Sequence, residues 1–181
     1  MIQSGQHGAE RIAELVKSMK SYSYMDQGAQ QVVDLHTGLE DTLRLFAFKL
    51  KQGVKVERHY DATLPKLMAH GSELNQVWMN LIDNAIDAMG DKGTLTLRTC
   101  HFKSNARIEI TDTGSGILPE VRSRIFEPFF TTKAVGKGSG LGLETVRRIV
   151  ENRHHGTISV ESEPGCTSFA VCLPLEKAET A

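Results

Sequence analysis

The chain has 181 residues, a size for one domain or one domain with an appendage. Lys and Arg number 21 against 22 Asp and Glu, a net charge of −1 that excludes a generally basic nucleic-acid binder, while 40% hydrophobic residues exclude a disordered chain. No run of 18 apolar residues occurs to span a membrane, and MIQSGQHGAERIAEL lacks the basic-then-apolar layout of a signal peptide.

In chain order, residues 8–25 read as a helix, with Ile12, Leu15, Val16, Met19 and Tyr22 at helical spacing. After a polar break, the run from Val32 to Leu35 predicts a short strand, and a helix follows at about 37–51, ended by Gly53. Val54 to Glu57 alternates like a strand. Ser72 is the expected N-cap of a third helix that runs to Met89 and stops at Gly90, its apolar stripe being Leu74, Val77, Leu81, Ala85 and Ala88. Segments 94–97 and 107–110 predict a hairpin. A Gly-rich stretch at 113–142 contains a short helix near 119–125, and a helix follows at about 141–152. Strands at 157–160 and 169–172 precede a polar tail. Helices and strands mix without regular alternation, so the fold class is α+β, with helices on one face of a mixed sheet. Cys100, Cys166 and Cys172 have no metal or disulfide spacing and read as small strand hydrophobes.

The chemistry concentrates between Asn80 and Gly142. Asn80 and Asn84, one helical turn apart, stack two amides whose carbonyl oxygens suit Mg²⁺. Taken alone, the pair reads equally as a solvated polar face. Asp112-Thr113-Gly114-Ser115-Gly116 follows directly on an apolar strand. An Asp there can accept from an adenine amino group, and glycines let a base or sugar approach the backbone, although Asp and Gly also make ordinary turns. Gly136 to Leu143 alternates glycine four times and then enters a helix. Such a loop can form an anion-binding concavity, with Lys133 and Lys137 supplying positive charge. Ile125 to Lys133 packs three phenylalanines into five residues, either as the anchor of a lid or as a hydrophobic plug. The P-loop pattern fails because Gly138 follows Lys137, and the dinucleotide pattern fails because Leu141 and Leu143 stand where glycine is required.

In order and spacing, these four motifs resemble the catalytic and ATP-binding domain of sensor histidine kinases, within the superfamily that also holds DNA gyrase, Hsp90 and MutL. NQVWMNLIDNAIDAM is similar to the N box, DTGSGI to the G1 box, IFEPFFTTK to the F box and GKGSGLGLETVRRIV to the G2 box. GTISVESEPGCTSFAVCLP is similar to the closing strands, and the match covers about 35–175. The FEPFFTTK form looks most like kinases of the nitrogen-regulation and dicarboxylate-sensing type.

The resemblance implies a two-layer α/β sandwich, the Bergerat fold, with ATP and Mg²⁺ as cofactors. It implies that Asn84 is the metal ligand and that Asn80 supports metal and phosphates. Asp112 would bond the adenine amino group, Gly114, Gly116 and Ile117 would line the pocket, and Thr167 would reach the adenine through water. Gly138, Ser139, Gly140, Leu141 and Gly142 would contact the phosphates with Lys137, and Lys133 resembles the lid lysine beside them. It further implies γ-phosphoryl transfer to a histidine on a dimerisation domain and a response regulator as partner; the apolar face of the helix at 8–25 points to a dimeric parent, and this chain is expected in the cytoplasm whether or not its parent is membrane-attached. Gyrase-type hydrolases carry a water-activating Glu where this chain has Asn80, so slow turnover is expected.

The chain departs from the usual boxes at Thr113, Ser139, Glu144 and His155. Glu144 puts a carboxylate in the first turn of a phosphate-binding helix, where it would repel phosphate if turned inward. The acceptor motif, His followed by Glu or Asp, does not fit His7, and the pair His154-His155 reads as an exposed helix end. Residues 1–30 are therefore expected to be the remnant of a second dimerisation helix and linker, 31–175 the catalytic domain and 176–181 a frayed tail. Two alternatives are a serine kinase of the anti-sigma-factor type, opposed by the helix at 8–25 and the FEPFFTTK box, and a non-catalytic module, opposed by the completeness of the boxes.

Overall fold

The computed structural model describes residues 29–90, 92–134 and 138–175. The expected helix at 8–25 and the tail at 176–181 lie outside the described residues, as do Gly136 and Lys137.

Strand β1 (Gln31–Val33) leads into helix α1 (Leu35–Leu45). The expected strand through Leu35 stops at Val33 because Asp34 caps the helix, its Oδ1 accepting the N–H groups of His36 and Thr37 at 3.0 and 3.2 Å. The helix therefore starts two residues earlier than the expected 37, and it breaks at Phe46 before a single turn, α2 (Ala47–Leu50). Strand β2 (Val54–His59) follows. Strand β3 (Leu67–Ala69), too short for an alternation signal, is an element the sequence does not announce, and it pairs antiparallel with β1, Val32 opposite Met68.

Helix α3 (Gly71–Met89) starts before Ser72, so Ser72 is not its cap. His70 takes that position: its carbonyl accepts the Leu74 N–H at 3.1 Å, and its own N–H donates to His154 Nε2 at 3.2 Å. A tertiary contact thus overrides the local capping preference. Gly90 ends the helix as expected. The buried stripe is Leu74, Val77, Trp78, Leu81, Ile82, Ala85 and Ile86, broader than periodicity indicated, while Ala88 is only half-buried.

Strands β4 (Gly93–Phe102) and β5 (Asn105–Asp112) form the expected hairpin. A short helix, α4 (Pro119–Arg122), is followed by successive turns. Helix α5 (Gly142–Arg147) passes into a π-helical stretch at Arg148–Arg153, where the sequence had suggested one uniform helix. Strands β6 (Thr157–Glu163) and β7 (Cys166–Pro174) close the chain.

The main sheet has the order β2-β4-β5-β7-β6, with β2 parallel to β4 and the other pairs antiparallel. It is the mixed sheet expected. One face is apolar because alternate residues point the same way: Leu95 and Leu97 on β4, Ala106, Ile108 and Ile110 on β5, Val171 and Leu173 on β7. Helices α1, α3 and α5 cover that face, and Trp78, 1% exposed, is the largest side chain sealed between the layers. The opposite face is polar and ion-paired, with Glu109 accepting from Arg107 at 2.8 Å. The result is the two-layer α/β arrangement.

Candidate functional site

Three strands bring their polar ends side by side. Asp112 on β5 is opposite Thr167 on β7, which is opposite Ser162 on β6. Thr167 Oγ1 and Ser162 Oγ are 2.8 Å apart, and Ser162 Oγ accepts the Ile117 N–H at 2.8 Å. Ser162 was not singled out from the sequence. Strand pairing alone puts it there, since the alternation of β6 gives no sign of which end it occupies.

Asp112 is only 3% exposed. Its Oδ1 accepts the Gly114 N–H at 2.8 Å, and no cation pairs with it among the described residues. Burial pushes its carboxyl above the ordinary carboxylate value, and the Gly114 N–H only partly offsets this. The second carboxylate oxygen has no donor among the described residues, and it is not fully sealed, since the one sealed side-chain polar atom without a partner among them is Arg122 Nε.

Gly114 and Gly116 are required, but for protein packing. A Cβ on Gly114 would lie 2.6 Å from the Ala88 carbonyl, and one on Gly116 2.6 Å from the Glu163 carbonyl. The expectation that these glycines make room for a ligand is therefore incomplete. They let the β5 turn press against the end of α3 and the β6–β7 turn, a contact closed by Ser115 N–H to Ala88 O at 3.1 Å and Gly165 N–H to Gly114 O at 3.0 Å.

The other motifs meet at α3. Asn80 Oδ1 lies 3.5 Å from where a Cβ on Gly142 would sit, so the first amide abuts the start of α5. Asn84 Oδ1 accepts from Lys133 Nζ at 3.3 Å, and the same ammonium lies 2.5 Å from Asp87 Oδ2. Gly138 is tight against this loop: a Cβ there would be 2.9 Å from Thr131 Oγ1 and 3.2 Å from the Lys133 side chain. Phe129 N–H donates to Gly140 O at 2.9 Å. Gly140 has φ +70°, and a Cβ on it would strike the Phe129 backbone at 2.4 Å. Leu141 N–H points to Ser139 Oγ at 3.4 Å, and Leu141 O accepts from Thr145 N–H at 2.9 Å, which starts α5.

Of the three clustered phenylalanines, two are plugs. Phe126 packs edge-on against Phe169, and Phe130 carries the Arg124 guanidinium 4.5 Å from its ring centre. Phe129 is 68% exposed and sits at φ 65°. Glu144 points along its own helix to Arg148 at 3.5 Å, which removes the objection that it would face phosphate. The pair His154-His155 is not an exposed helix end throughout. His154 is half-buried, its Nδ1 donates to Ile149 O at 3.0 Å, and its Nε2 accepts from His70, while His155 is exposed at φ 52°.

Asn80, Asn84, Lys133, Gly138, Ser139, Gly140, Leu141 and Gly142 thus gather at one edge of α3. Asp112, Gly114, Gly116, Ile117 and Thr167 gather at the adjoining strand ends. Among the described residues, no three His, Cys, Asp or Glu side chains cluster as a metal site. Asn84 Oδ1 and Asp87 Oδ2 both take the Lys133 ammonium, and the neutral Asn84 oxygen is of the kind that suits a hard ion completing its shell with water and phosphate. A surface concavity of about 490 Å³ lies apart from these residues, along Asp34, Glu40, Arg58 and Tyr60, where Glu40 is already satisfied by Arg58 and Tyr60. No described helix is long and apolar enough to cross a membrane.

Comparison with known proteins agrees with this geometry. Residues 69–177 match the family described as histidine kinase-, DNA gyrase B-, and HSP90-like ATPases. The chain is 36% identical over 169 residues to the sensor histidine kinase ZraS of Escherichia coli, covering 92% of this chain and 36% of that protein. It is 31% identical over 179 residues to the sensory histidine kinase/phosphatase NtrB of Vibrio alginolyticus, covering 92% and 50%. It therefore spans between about a third and a half of the length of these relatives. Among solved structures it superposes on the catalytic domain of histidine kinase ThkA with a TM-score of 0.74 at 29% identity, covering 81% of this chain and 97% of that one. ThkA in complex with the response regulator TrrA gives a TM-score of 0.78 at 26% identity, covering 97% and 50%. With the family match spanning the α3 amides, the β5 aspartate and the glycine loop, the chain belongs to the histidine kinase-, DNA gyrase B- and HSP90-like ATPases, as an ATP-binding catalytic domain of the sensor histidine kinase type.

Proposed function

We propose that this chain binds ATP with Mg²⁺ and supplies the γ-phosphoryl group to a histidine on a separate helical domain of its parent, from which a response regulator takes it. The observation that carries this reading is the pairing of the Asp112 carboxylate, 3% exposed and with one oxygen lacking a donor among the described residues, with amide, lysine and glycine-loop groups on the adjoining edge of α3. The first group suits a neutral ring bearing an amino donor, and the second suits the polyanion attached to it.

In this reading Asp112 accepts from the adenine amino group, with Thr167 and Ser162 ordering water beside the ring. Gly114, Gly116 and Ile117 hold the floor of the pocket. Gly138, Ser139, Gly140, Leu141 and Gly142 present backbone N–H groups to the phosphates, and Lys133 and Lys137 add positive charge. Asn84, supported by Asn80, would hold Mg²⁺, which neutralises phosphate charge when bound. Phosphoryl transfer asks mainly for positioning and charge stabilisation, which these groups can give. Asn80 cannot act as a base, so water is not activated from that position and hydrolysis stays slow. The partner assignment rests on relatives that are sensor kinases and on the ThkA–TrrA complex. The parent is read as a dimer carrying the acceptor histidine, with residues 1–30 as the remnant of its second dimerisation helix and linker.

Calorimetric titration with ATP tests the reading. A 1:1 isotherm tightened by Mg²⁺ is expected, and Asn84→Ala should lose the Mg²⁺-dependent gain while keeping metal-free binding. Sustained ATP hydrolysis by the isolated chain, abolished by the same substitution, would overturn the transfer mechanism.

A further inference from the structure

Lys133 and Mg²⁺ compete for one atom. The Lys133 ammonium is 3.3 Å from Asn84 Oδ1, the oxygen that on the reading above holds the metal. A magnesium ion sits at about 2.1 Å from its oxygen ligands, so metal and ammonium on that oxygen would crowd two cations together. The two occupants are therefore alternatives.

The ammonium is not held by Asn84 alone. Its shorter contact, 2.5 Å, is to Asp87 Oδ2, one helical turn beyond Asn84 on the same face of α3. No other ion pair to Asp87 occurs among the described residues. Asp87 lies within NQVWMNLIDNAIDAM but is not among the residues singled out there as ligands, and its carboxylate is out of place beside a phosphate site unless a cation accompanies it. The Lys133 stem also lies against Gly138, so wherever the ammonium rests bears on the glycine loop at that residue.

We propose that Asp87 is a positioning residue: it docks the Lys133 ammonium over Asn84 in an arrangement that excludes the metal, and loading of Mg²⁺ and nucleotide transfers the ammonium from Asp87 to phosphate. This rests on the assignment of Asn84 and Lys133 above. Loading must then break the Lys133–Asp87 pair. With the two side chains 34% and 39% exposed, that pair is a modest one, and breaking it is expected to weaken nucleotide binding by about two- to five-fold.

The test is a double-substitution cycle on the whole chain, using Asp87→Asn, Lys133→Gln and the pair together, with the dissociation constant of Mg²⁺–ADP read by calorimetry and folding checked by thermal melting. Asp87→Asn should tighten Mg²⁺–ADP by about two- to five-fold more when Lys133 is present than when Gln replaces it. Equal tightening in both backgrounds would mean simple relief of charge repulsion and would overturn the proposal. So would weakened or unchanged binding with Lys133 present, since the aspartate would then hold the lysine equally in both arrangements. If wild type binds Mg²⁺–ADP and only the cycle fails, the docking role falls alone. If none of the four proteins binds, the nucleotide reading falls with it.

Discussion

Substituting Asp112 by Asn separates the stability of the fold from its ability to hold adenine. The two side chains are nearly isosteric, and the retained oxygen can still accept the Gly114 N–H now made at 2.8 Å. What changes is the second oxygen, which becomes an amide donor. In the protein alone this removes a carboxylate that is 3% exposed, has no paired cation among the described residues and is pushed towards its neutral form by burial. The melting temperature at pH 7.5 should therefore hold or rise. Because the folded carboxyl titrates above its unfolded value, the folded chain takes up the proton before the unfolded one on acidification, and the gap between variant and wild type should close as pH falls through that raised value towards the ordinary 3.8. Towards nucleotide the sign reverses. A donor now meets the adenine amino donor, with loss of a hydrogen bond to a charged group worth about 2 kcal/mol, or roughly thirty-fold in Kd. Calorimetry with ATP, repeated with ITP, reads this directly. ITP carries a carbonyl where ATP has the amino group, so the substitution should move preference towards it. Unchanged ATP affinity, or a fall of several degrees in melting temperature, would refute the reasoning.

Two other consequences follow from the same geometry. Burial lowers the His154 pKa from its ordinary value of 6.5, so the unfolded chain binds the extra proton first; stability should be full above about pH 6.5 and fall as pH drops below it, and His154→Gln should remove that part of the slope in melts across pH 7.5 to 5.5. Gly140→Ala places a Cβ 2.4 Å from the Phe129 backbone at φ +70°, a strain of about 2 kcal/mol; this should be relieved by opening the Phe129–Gly140 contact. Proteolysis near Phe129 should speed up with little change in melting temperature, and a large drop in melting temperature with unchanged proteolysis would count against this account.

Much of the fold is local in origin. Alternation marks β4, β5, β6 and β7, and the turn at Gly90 is set by glycine itself. The glycine loop, the aromatic run and the two asparagines are all legible as motifs, because each is a short pattern of unusual residue types. What was misplaced was decided by partners distant in sequence. His70 replaces Ser72 as the start of α3 because His154, 84 residues away, accepts its N–H. Strand β3 exists because β1 offers it a ladder, and His154 reads as an exposed helix end until that same contact is seen.

Composition and motif order thus determine the class of fold and the kind of site. They cannot decide which atoms meet. Strand register sets Ser162 beside Thr167 and Asp112, and close packing explains why Gly114 and Gly116 must be glycine. Helical phase and a loop 46 residues further along the chain place Lys133 on Asp87 and Asn84. Apart from the Ser162–Thr167 pair, which one hairpin brings together, each of these is a contact between segments far apart in the chain, and neighbouring residues in sequence carry no force that would reveal it.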